Sequence, residues 1–539
     1  MKTCGEYLVE LLVQYDVENI FGIPGVHTVE LYRGLNNAGL RHYTPRHEQG
    51  AGFMADGYAR TSGKPGVCFI ITGPGLTNIT TAMAQAYGDS IPMLVISAVN
   101  ATHSLGQGRG FLHELPDQQA LMSQVSAFSH TVLTVEELPS ILARAFAVFD
   151  GARPRPVHIE LPLDVIVQSA DHMPEAKPVS RVTAAVPPLA DLNAAVTALD
   201  AASRIVLCVG GGAKHNPQAL RELAERLDAV VVPTVNARGV LPPDHPLLVP
   251  ASPSLSAVRE LIEDADVVLA LGTEIGRTDY DFYDSGEFKI PGTLIRVDID
   301  AEQIYRNLIA DIALVGDAGS TAELLTESVS PGKHRDAAAR AERARTAAFN
   351  SLSPAMSAHV ALLNRIRDAL PDALLVGDSS QQVYAGALYF AAQTPKSWFN
   401  SATGYGTLGY ALPAAIGAKI AAPERPVVCL VGDGGLQFSI AELASAIDAG
   451  TPIILLVWNN SGYGEIKAFM LDRNIPTAGV DLFTPDFMKL ADAYGIHAEI
   501  LASIGDIDRV LEAAAKRDLP SLIQMNEAEL IPDPRTGKV

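Results

Sequence analysis

The chain has 539 residues, 48% of them hydrophobic and 19% charged, with a formal net charge of −21. That length allows three or four domains with buried cores, and the acidic balance excludes nucleic acid and anionic membrane as partners, because nothing neutralises a phosphate backbone at scale. The start, MKTCGEYLVELL, lacks a signal peptide's basic and apolar regions, no apolar run reaches about 18 residues, and Cys4, Cys68, Cys208 and Cys429 form no C-x-x-C pair. A cytoplasmic protein with packed thiols is expected.

Gly5 to Tyr15 reads as an amphipathic helix, followed by Asn19-Ile20-Phe21 and the turn Gly22-Ile23-Pro24-Gly25. In TPRHEQGAGFMADGYARTSG, Ala51, Ala55 and Ala59 keep helical spacing, and their small side chains permit close helix contact. Glu48 stands in the first turn, where an acid favours the helix dipole whatever else it does. Val67 to Thr72, the turn Gly73-Pro74-Gly75, a helix through Tyr87 and the run Pro92 to Ser97 read as strand, turn, helix, strand. After Asn100 the segment SLGQGRGFLHELPDQQALMSQVSAFSH is polar and glycine-rich. His113 within it reads either as plain surface or as a group that handles protons. Pro162 ends a first domain (1–167), and the proline-bearing stretch 168–189 is a linker.

Residues 190–330 alternate strand and helix again and form a central domain. Gly210-Gly211-Gly212 tempts a dinucleotide reading, but the fingerprint needs Gly at 215 and finds His215. A charged, alanine-rich connector (331–354) leads to the third domain (355–530), and the tail PDPRTGKV reads as peripheral. ALLVGDSSQQVYAG sets Asp378, Ser380, Gln381 and Gln382 at a strand end; Gly404 to Gly409 precedes the helix ALPAAIGAKIA, with Leu408 readable as core.

The most informative stretch runs from Val427 to Gly464. Two short β-branched runs, Val427–Val431 and Ile453–Trp458, flank Phe438, Ile440, Leu443 and Ile447 at helical spacing, so the segment reads as one βαβ unit. Asp433 and Asn460 fall at the carboxyl ends of parallel strands about 4.8 Å apart. Both offer oxygen, which magnesium prefers, and Gly434 and Gly435 leave backbone N–H groups bare at a helix start. The unit suits a magnesium diphosphate. A shift of 359 lays the Gly73–Pro92 unit over Gly432–Pro452 almost without a gap, which marks an internal repeat. Pro74 stands where Asp433 would be and Thr407 where Glu48 would be, so each copy carries half of the chemistry.

Gly432-Asp433-Gly434 followed after 24 residues by Asn459-Asn460 resembles the signature of thiamine diphosphate enzymes, and RHEQGAGFMADGYAR resembles their glutamate motif. The resemblance implies an α/β architecture of three doubly wound parallel-sheet domains: pyrimidine-binding, central Rossmann-like, and diphosphate-binding. It implies Asp433, Asn460 and the carbonyl of Gly462 as magnesium ligands, and Glu48 as the acid that bonds the aminopyrimidine and activates the cofactor. It further implies cofactor contacts from Pro24, Gly73, Ser380, Gln381, Gln382, Gly432, Gly434, Gly435 and Tyr463. Leu408 would bend the cofactor, and the Gly406 carbonyl would accept its amino group. The central domain resembles that of the acetolactate synthase group, which binds flavin in some members, ADP in others and nothing in many; a scaffold without FAD is expected here. Active sites shared between subunits imply a homodimer or homotetramer.

Within this group the runs FGIPGVHTVELYRGL and LHELPDQ look most like bacterial 5-guanidino-2-oxopentanoate decarboxylases of arginine breakdown. Where acetolactate synthases read Phe-Gln-Glu, this chain reads Leu112-His113-Glu114. The expected activity is non-oxidative decarboxylation of a 2-oxo acid to an aldehyde, with Glu48 and His113 catalytic. A guanidinium tail needs a carboxylate partner, for which His113's neighbour Glu114, and Asp281, Glu465 and Asp472, are the candidates. An acetolactate synthase-type carboligase and a non-catalytic cofactor-binding scaffold are the alternatives.

Overall fold

The computed structural model describes residues 1–282, 286, 288–332 and 336–531; the tail PDPRTGKV lies outside the described residues. Three parallel sheets follow one another. The first comprises β1 (Asn19–Gly22), β2 (Arg41–Tyr43), β3 (Gly66–Ile70), β4 (Met93–Val99), β5 (Phe128–Thr131) and β6 (Val157–Pro162). The second comprises β7 (Ile205–Val209), β8 (Val230–Pro233), β9 (Val267–Leu271), β10 (Thr293–Asp298) and β11 (Ile312–Val315). The third comprises β12 (Leu374–Gly377), β13 (Trp398–Asn400), β14 (Val427–Gly432), β15 (Ile454–Asn459), β16 (His497–Ile500) and β17 (Ser521–Asn526). Their central strands are buried, Met93–Val99 at every residue and Val427–Gly432 and Ile454–Asn459 at all but the last, as sheets covered by helices on both faces require.

The repeat extends to topology. The first sheet has the order β2-β1-β3-β4-β6-β5 and the third β13-β12-β14-β15-β17-β16, the same sequence of local positions. The second, β8-β7-β9-β10-β11, shares all but the last step. In such sheets ligands gather at the carboxyl edge where the strand order reverses, here between β1 and β3 and between β12 and β14.

The first and third domains share one apolar core, in which Phe53 and Leu76 meet Leu412 and Leu443. Helix Glu48–Ser62 lies against helix Ala411–Ala421 so closely that a Cβ on Gly57 would sit 2.0 Å from the Ala414 carbonyl oxygen, and one on Gly417 1.9 Å from that of Met54. Glycine, more than the alanines singled out in the sequence, permits this contact. Its buried flank is ionic: Arg60 donates to Asp56 (2.6 Å) and Asp89 (2.6 Å), and Tyr410 of the third domain donates to Asp56 (2.5 Å). The central domain has a separate core, to which the expected connector contributes helix Ala337–Asn350 through Ala337, Ala341, Ala344 and Ala348.

The helix expected between β14 and β15 is two helices, Asp433–Gln437 and Glu442–Asp448. Phe438, counted above on an apolar face, is 58% exposed. The break frees Glu442 to serve the first domain, as described below. All four cysteines are buried and free.

Candidate active site

Helix Glu48–Ser62 begins on Glu48 itself, with His47 Nδ1 accepting the Gln49 N–H (3.1 Å). Glu442 of the third domain accepts the N–H groups of Arg46 (3.0 Å) and His47 (3.1 Å), fixing the helix entry across the domain boundary. The Glu48 carboxylate is half-buried and accepts from Asn78 Nδ2 (2.9 Å). A Cβ on Gly75 would lie 3.1 Å from its Oε1, so this glycine leaves the carboxylate its space.

The other side of the same turn holds His113. A Cβ on Gly73 would fall 2.6 Å from the His113 carbonyl oxygen, and His113 has φ +62°, uncommon for a residue with a side chain. Its ring centroid is 5.1 Å from that of His27, which leaves the turn containing the exposed Pro24. The Nδ1 atoms of both rings are buried without a partner among the described residues. A buried polar atom left so costs about 1–3 kcal/mol. The His27 pKa is lowered by burial and by His113.

In the third domain Asp433 is the buried first residue of its helix, and its Oδ2 accepts from Thr484 (3.1 Å). Asn460 points its amide oxygen 3.2 Å from Asp433 Oδ1 and 2.8 Å from the Gly462 carbonyl oxygen, while its Nδ2 faces Gln381 Oε1 (3.4 Å). Three oxygens thus converge with no proton between them. Turning the amide over satisfies them by hydrogen bonds; so does a hard cation, since neighbouring ligands in a magnesium octahedron lie about 2.9 Å apart. The set has one carboxylate, and among the described residues no group of three His, Cys, Asp or Glu side chains is placed to bind metal. Burial raises the Asp433 pKa. Glu527 faces the same cluster, its pKa raised by burial and further by Asp433.

Gln381 also accepts from Trp458 Nε1 (3.1 Å). Gln382, grouped with it in the sequence, is fully buried with neither amide atom partnered among the described residues. Ser380 precedes their helix beside Gly432, the last residue of β14, whose Cβ would come 3.9 Å from that of Ser380. Gly434 gives room to the Tyr463 ring (2.9 Å from a built Cβ), and a Cβ on Gly435 would lie 3.4 Å from Asp378 Oδ2. Asp378, pushed up to about 6 by burial despite N–H donors, accepts from Ser379 (2.7 Å) and Gly409 (2.8 Å). Gln85 of the first domain accepts from the Thr407 N–H (3.3 Å) and hydroxyl (2.9 Å). Leu408, between these anchors, is half-buried, and Gly406, just before them, is exposed at φ +75°.

The four carboxylate candidates separate. Glu114 accepts N–H groups from Gly108 (2.8 Å), Gly110 (2.7 Å) and Phe111 (3.0 Å), so it is engaged in holding its own loop. Asp281 is buried in the central domain, bonded to Arg259 (3.3 Å) and the Gly286 N–H (2.8 Å). Glu465 and Asp472 both lie on helix Gly464–Asp472, which leaves the Gly462 turn. Burial and the charge of Asp472 raise the Glu465 pKa.

The glycine run at 210–212 serves packing: a Cβ on Gly210 would meet the Gly272 carbonyl oxygen at 2.2 Å. It borders a cavity of about 350 Å³ where the three domains meet, lined also by Arg60, Asp89, Lys214 and Thr403. Asn78, Thr484, His27, Glu442 and Glu527 were not singled out in the sequence. Only His27, two residues beyond a marked turn, carried a local signal.

Family models for thiamine pyrophosphate enzymes match the chain in three parts: the N-terminal TPP binding domain over residues 2–121, the central domain over 192–325, and the C-terminal TPP binding domain over 378–525. The chain is 47% identical over 531 residues to the probable 2-ketoarginine decarboxylase AruI of Pseudomonas aeruginosa, covering 98% of this chain and 94% of that one. It is 31% identical to the acetolactate synthase isozyme 1 large subunit of Escherichia coli, covering 97% and 93%. Isozyme 2 of the same organism matches at 30%, covering 97% and 95%. With its two topologically equivalent outer sheets, its glutamate at one carboxyl edge and its Asp-Asn oxygen cluster at the other, the chain belongs to the thiamine pyrophosphate enzymes.

Proposed function

We propose that this chain is a magnesium- and thiamine diphosphate-dependent decarboxylase that converts 5-guanidino-2-oxopentanoate, which is 2-ketoarginine, to the guanidino aldehyde and carbon dioxide in arginine catabolism. Identity of 47% to a relative named as a probable 2-ketoarginine decarboxylase supports the reaction. The observation that carries the substrate is the helix leaving the metal turn. Glu465, Phe469 and Asp472 recur on it at i, i+4 and i+7, one face, and neither acid has an ion pair among the described residues. Two carboxylates without ion pairs suit a planar cationic tail, and the Phe469 ring between them already takes a guanidinium, that of Arg473 at 5.3 Å from its centroid.

In this reading Asp433, the Asn460 amide oxygen and the Gly462 carbonyl hold magnesium, and Gly434, Gly435 and Gln381 face the diphosphate. Glu48 would hold a proton at the pyrimidine, and the Gly406 carbonyl and the Leu408 side chain would contact the cofactor. Bound there, thiamine diphosphate supplies a nucleophilic carbon and an electron sink for decarboxylation. Val26 (70% exposed), Tyr405 (58%) and Phe438 (58%) stand by the two carboxyl edges, which supports a homodimer or homotetramer with active sites at the subunit interface. No helix among the described residues is long and apolar enough to cross a membrane.

The acetolactate synthase relatives support a second reading, a carboligase, which shares cofactor and metal and differs in product. Turnover with thiamine diphosphate and magnesium on 5-guanidino-2-oxopentanoate, pyruvate and neutral-tailed 2-oxo acids decides between them. Guanidino aldehyde as main product upholds the proposal; acetolactate from pyruvate with the guanidino acid ignored overturns it.

A further inference from the structure

Gln85 lies on helix Pro74–Asp89 of the first domain and is fully buried, yet its amide works on the third domain. The amide oxygen accepts from the Thr407 N–H (3.3 Å) and hydroxyl (2.9 Å), and the amide nitrogen donates to Asp89 (2.7 Å) and to the Thr403 carbonyl (3.4 Å). Both lone pairs and both protons of the amide are thus engaged. Only one orientation allows this, because a carboxylate and a carbonyl accept and an N–H donates.

Thr403 and Thr407 are the feet of one loop. Both are buried, while Gly404, Tyr405 and Gly406 between them are exposed. Gly404 (φ +71°) and Gly406 (φ +75°) are left-handed, so the loop's own backbone does little to fix its shape. Just beyond it, Tyr410 donates to Asp56, and Arg60 joins Asp56 to Asp89. Leu408 therefore stands between two residues, Thr407 and Tyr410, that the first domain grips through one buried network. Packing alone would be met by leucine or methionine in place of Gln85, since a buried amide is tolerated only where it is bonded.

We propose that Gln85 is a positioning residue, which clasps both feet of this loop and so sets Gly406 and Leu408 at the height where they meet the cofactor. The inference rests on the proposed reading of the cofactor site, in which Gly406 and Leu408 contact the ring portion of thiamine diphosphate and the Asp433–Asn460 cluster takes its diphosphate. Gln85 then governs ring binding and leaves diphosphate binding alone, a separation that general damage to the fold does not produce.

The test compares two ligands in the full chain with magnesium, by calorimetry: thiamine diphosphate, which reaches the loop, and inorganic pyrophosphate, which fills the diphosphate end only. Gln85→Leu should weaken thiamine diphosphate by about tenfold or more and leave pyrophosphate within about twofold. At saturating cofactor, kcat should fall about tenfold with KM for the oxo acid within about twofold. Gln85→Glu keeps the shape and decides the matter if the leucine variant fails to fold. Its carboxyl would meet Asp89 on its own helix, with Asp56 and Arg60 of helix Glu48–Ser62, Tyr410 and Lys396 of the third domain and Lys214 of the central domain around that pair. Two carboxyls at hydrogen-bond distance share one proton, and the protonated acid can donate to Asp89 and accept from Thr407 as the amide does. Relative to wild type, its thiamine diphosphate affinity should recover about threefold or more from about pH 8 to about pH 6, with pyrophosphate unmoved. Equal weakening of both ligands, weakening of neither, or a Gln85→Glu defect that ignores pH overturns the proposal. Leu408→Ala tests the underlying reading: thiamine diphosphate affinity within about twofold of wild type would mean that the loop does not reach the cofactor, and that reading fails by itself. Deuterium exchange at the Thr407 amide in cofactor-free protein, which Gln85→Leu should speed about tenfold, then judges the clasp, and an unchanged rate overturns it.

Discussion

Replacing Glu465 by glutamine removes one negative charge from the stripe proposed to receive the substrate's tail while keeping shape and hydrogen bonding. Two unit charges about 4 Å apart interact by about 4 kcal/mol at a near-surface dielectric and about 1 kcal/mol in water. Glu465 is half-buried, so about 2 kcal/mol is the working figure. That corresponds to about a thirtyfold fall in kcat/KM for 5-guanidino-2-oxopentanoate. Exposed Asp472 should be worth about two- to fivefold when changed to Asn. The control is 2-oxohexanoate, whose neutral tail should be turned over within about twofold of wild type. Equal losses on both substrates, or a guanidino rate that does not move, would refute the assignment. The same variant has a stability signature. The Glu465 carboxyl is raised above its usual 4.5 by burial and Asp472. The native state therefore binds more protons than the unfolded state in that window, and stability falls as pH rises through the raised value. Glu465→Gln should melt higher than wild type at pH 7, and the difference should shrink toward pH 4.

Glu48→Gln should keep cofactor affinity within about tenfold and lower turnover at least about a hundredfold; a near wild-type rate with bound cofactor would remove Glu48 from the chemistry. Asp433→Asn should weaken magnesium-dependent binding of thiamine diphosphate by at least about tenfold, read by calorimetry, because it takes the one carboxylate out of the oxygen cluster. His158 is fully buried between Ser97 (2.8 Å) and Ser129 (2.7 Å), and burial lowers its pKa to about 3. The unfolded state binds its proton first, so stability contributed by the neutral ring is lost as pH falls from about 6.5 toward about 3. Urea midpoints between pH 7 and 4 should fall less steeply in His158→Gln than in wild type.

What was legible in the sequence was local. Asp433 and Asn460 sit at a fixed spacing within one βαβ unit, Glu48 opens a helix whose glycine and alanine pattern is distinctive, and the repeat shows as a constant shift. Each of these is a property of a short stretch. Asn78, Thr484 and Glu442 meet their partners only after folding, across separations of 30, 51 and more than 390 residues, and nothing in their own surroundings marks them. Glu114 looked available because its competitors for the carboxylate are backbone N–H groups, which a sequence does not display. Phe438 kept helical spacing through a helix that breaks, since a periodic pattern does not register where Glu442 is drawn to another domain. Gln381 and Gln382 are adjacent and chemically identical, and only the helix turn sends one to Asn460 and Trp458 and the other into the core.

The contact between helices Glu48–Ser62 and Ala411–Ala421 also has a meaning for how the protein is made. Residues 51–59 of the first helix are buried throughout, and much of that cover arrives from a segment that begins more than 350 residues later. At about 5–20 residues per second, the ribosome delivers that segment roughly 20–70 s after the first helix has emerged. For that interval the oldest part of the nascent chain displays an apolar groove with no partner of its own, and the central domain can complete its separate core before the groove is filled. Synthesis of this enzyme therefore includes a waiting period in which a chaperone, or the finished third domain of a neighbouring chain, competes for the seat that residues 411–421 will occupy.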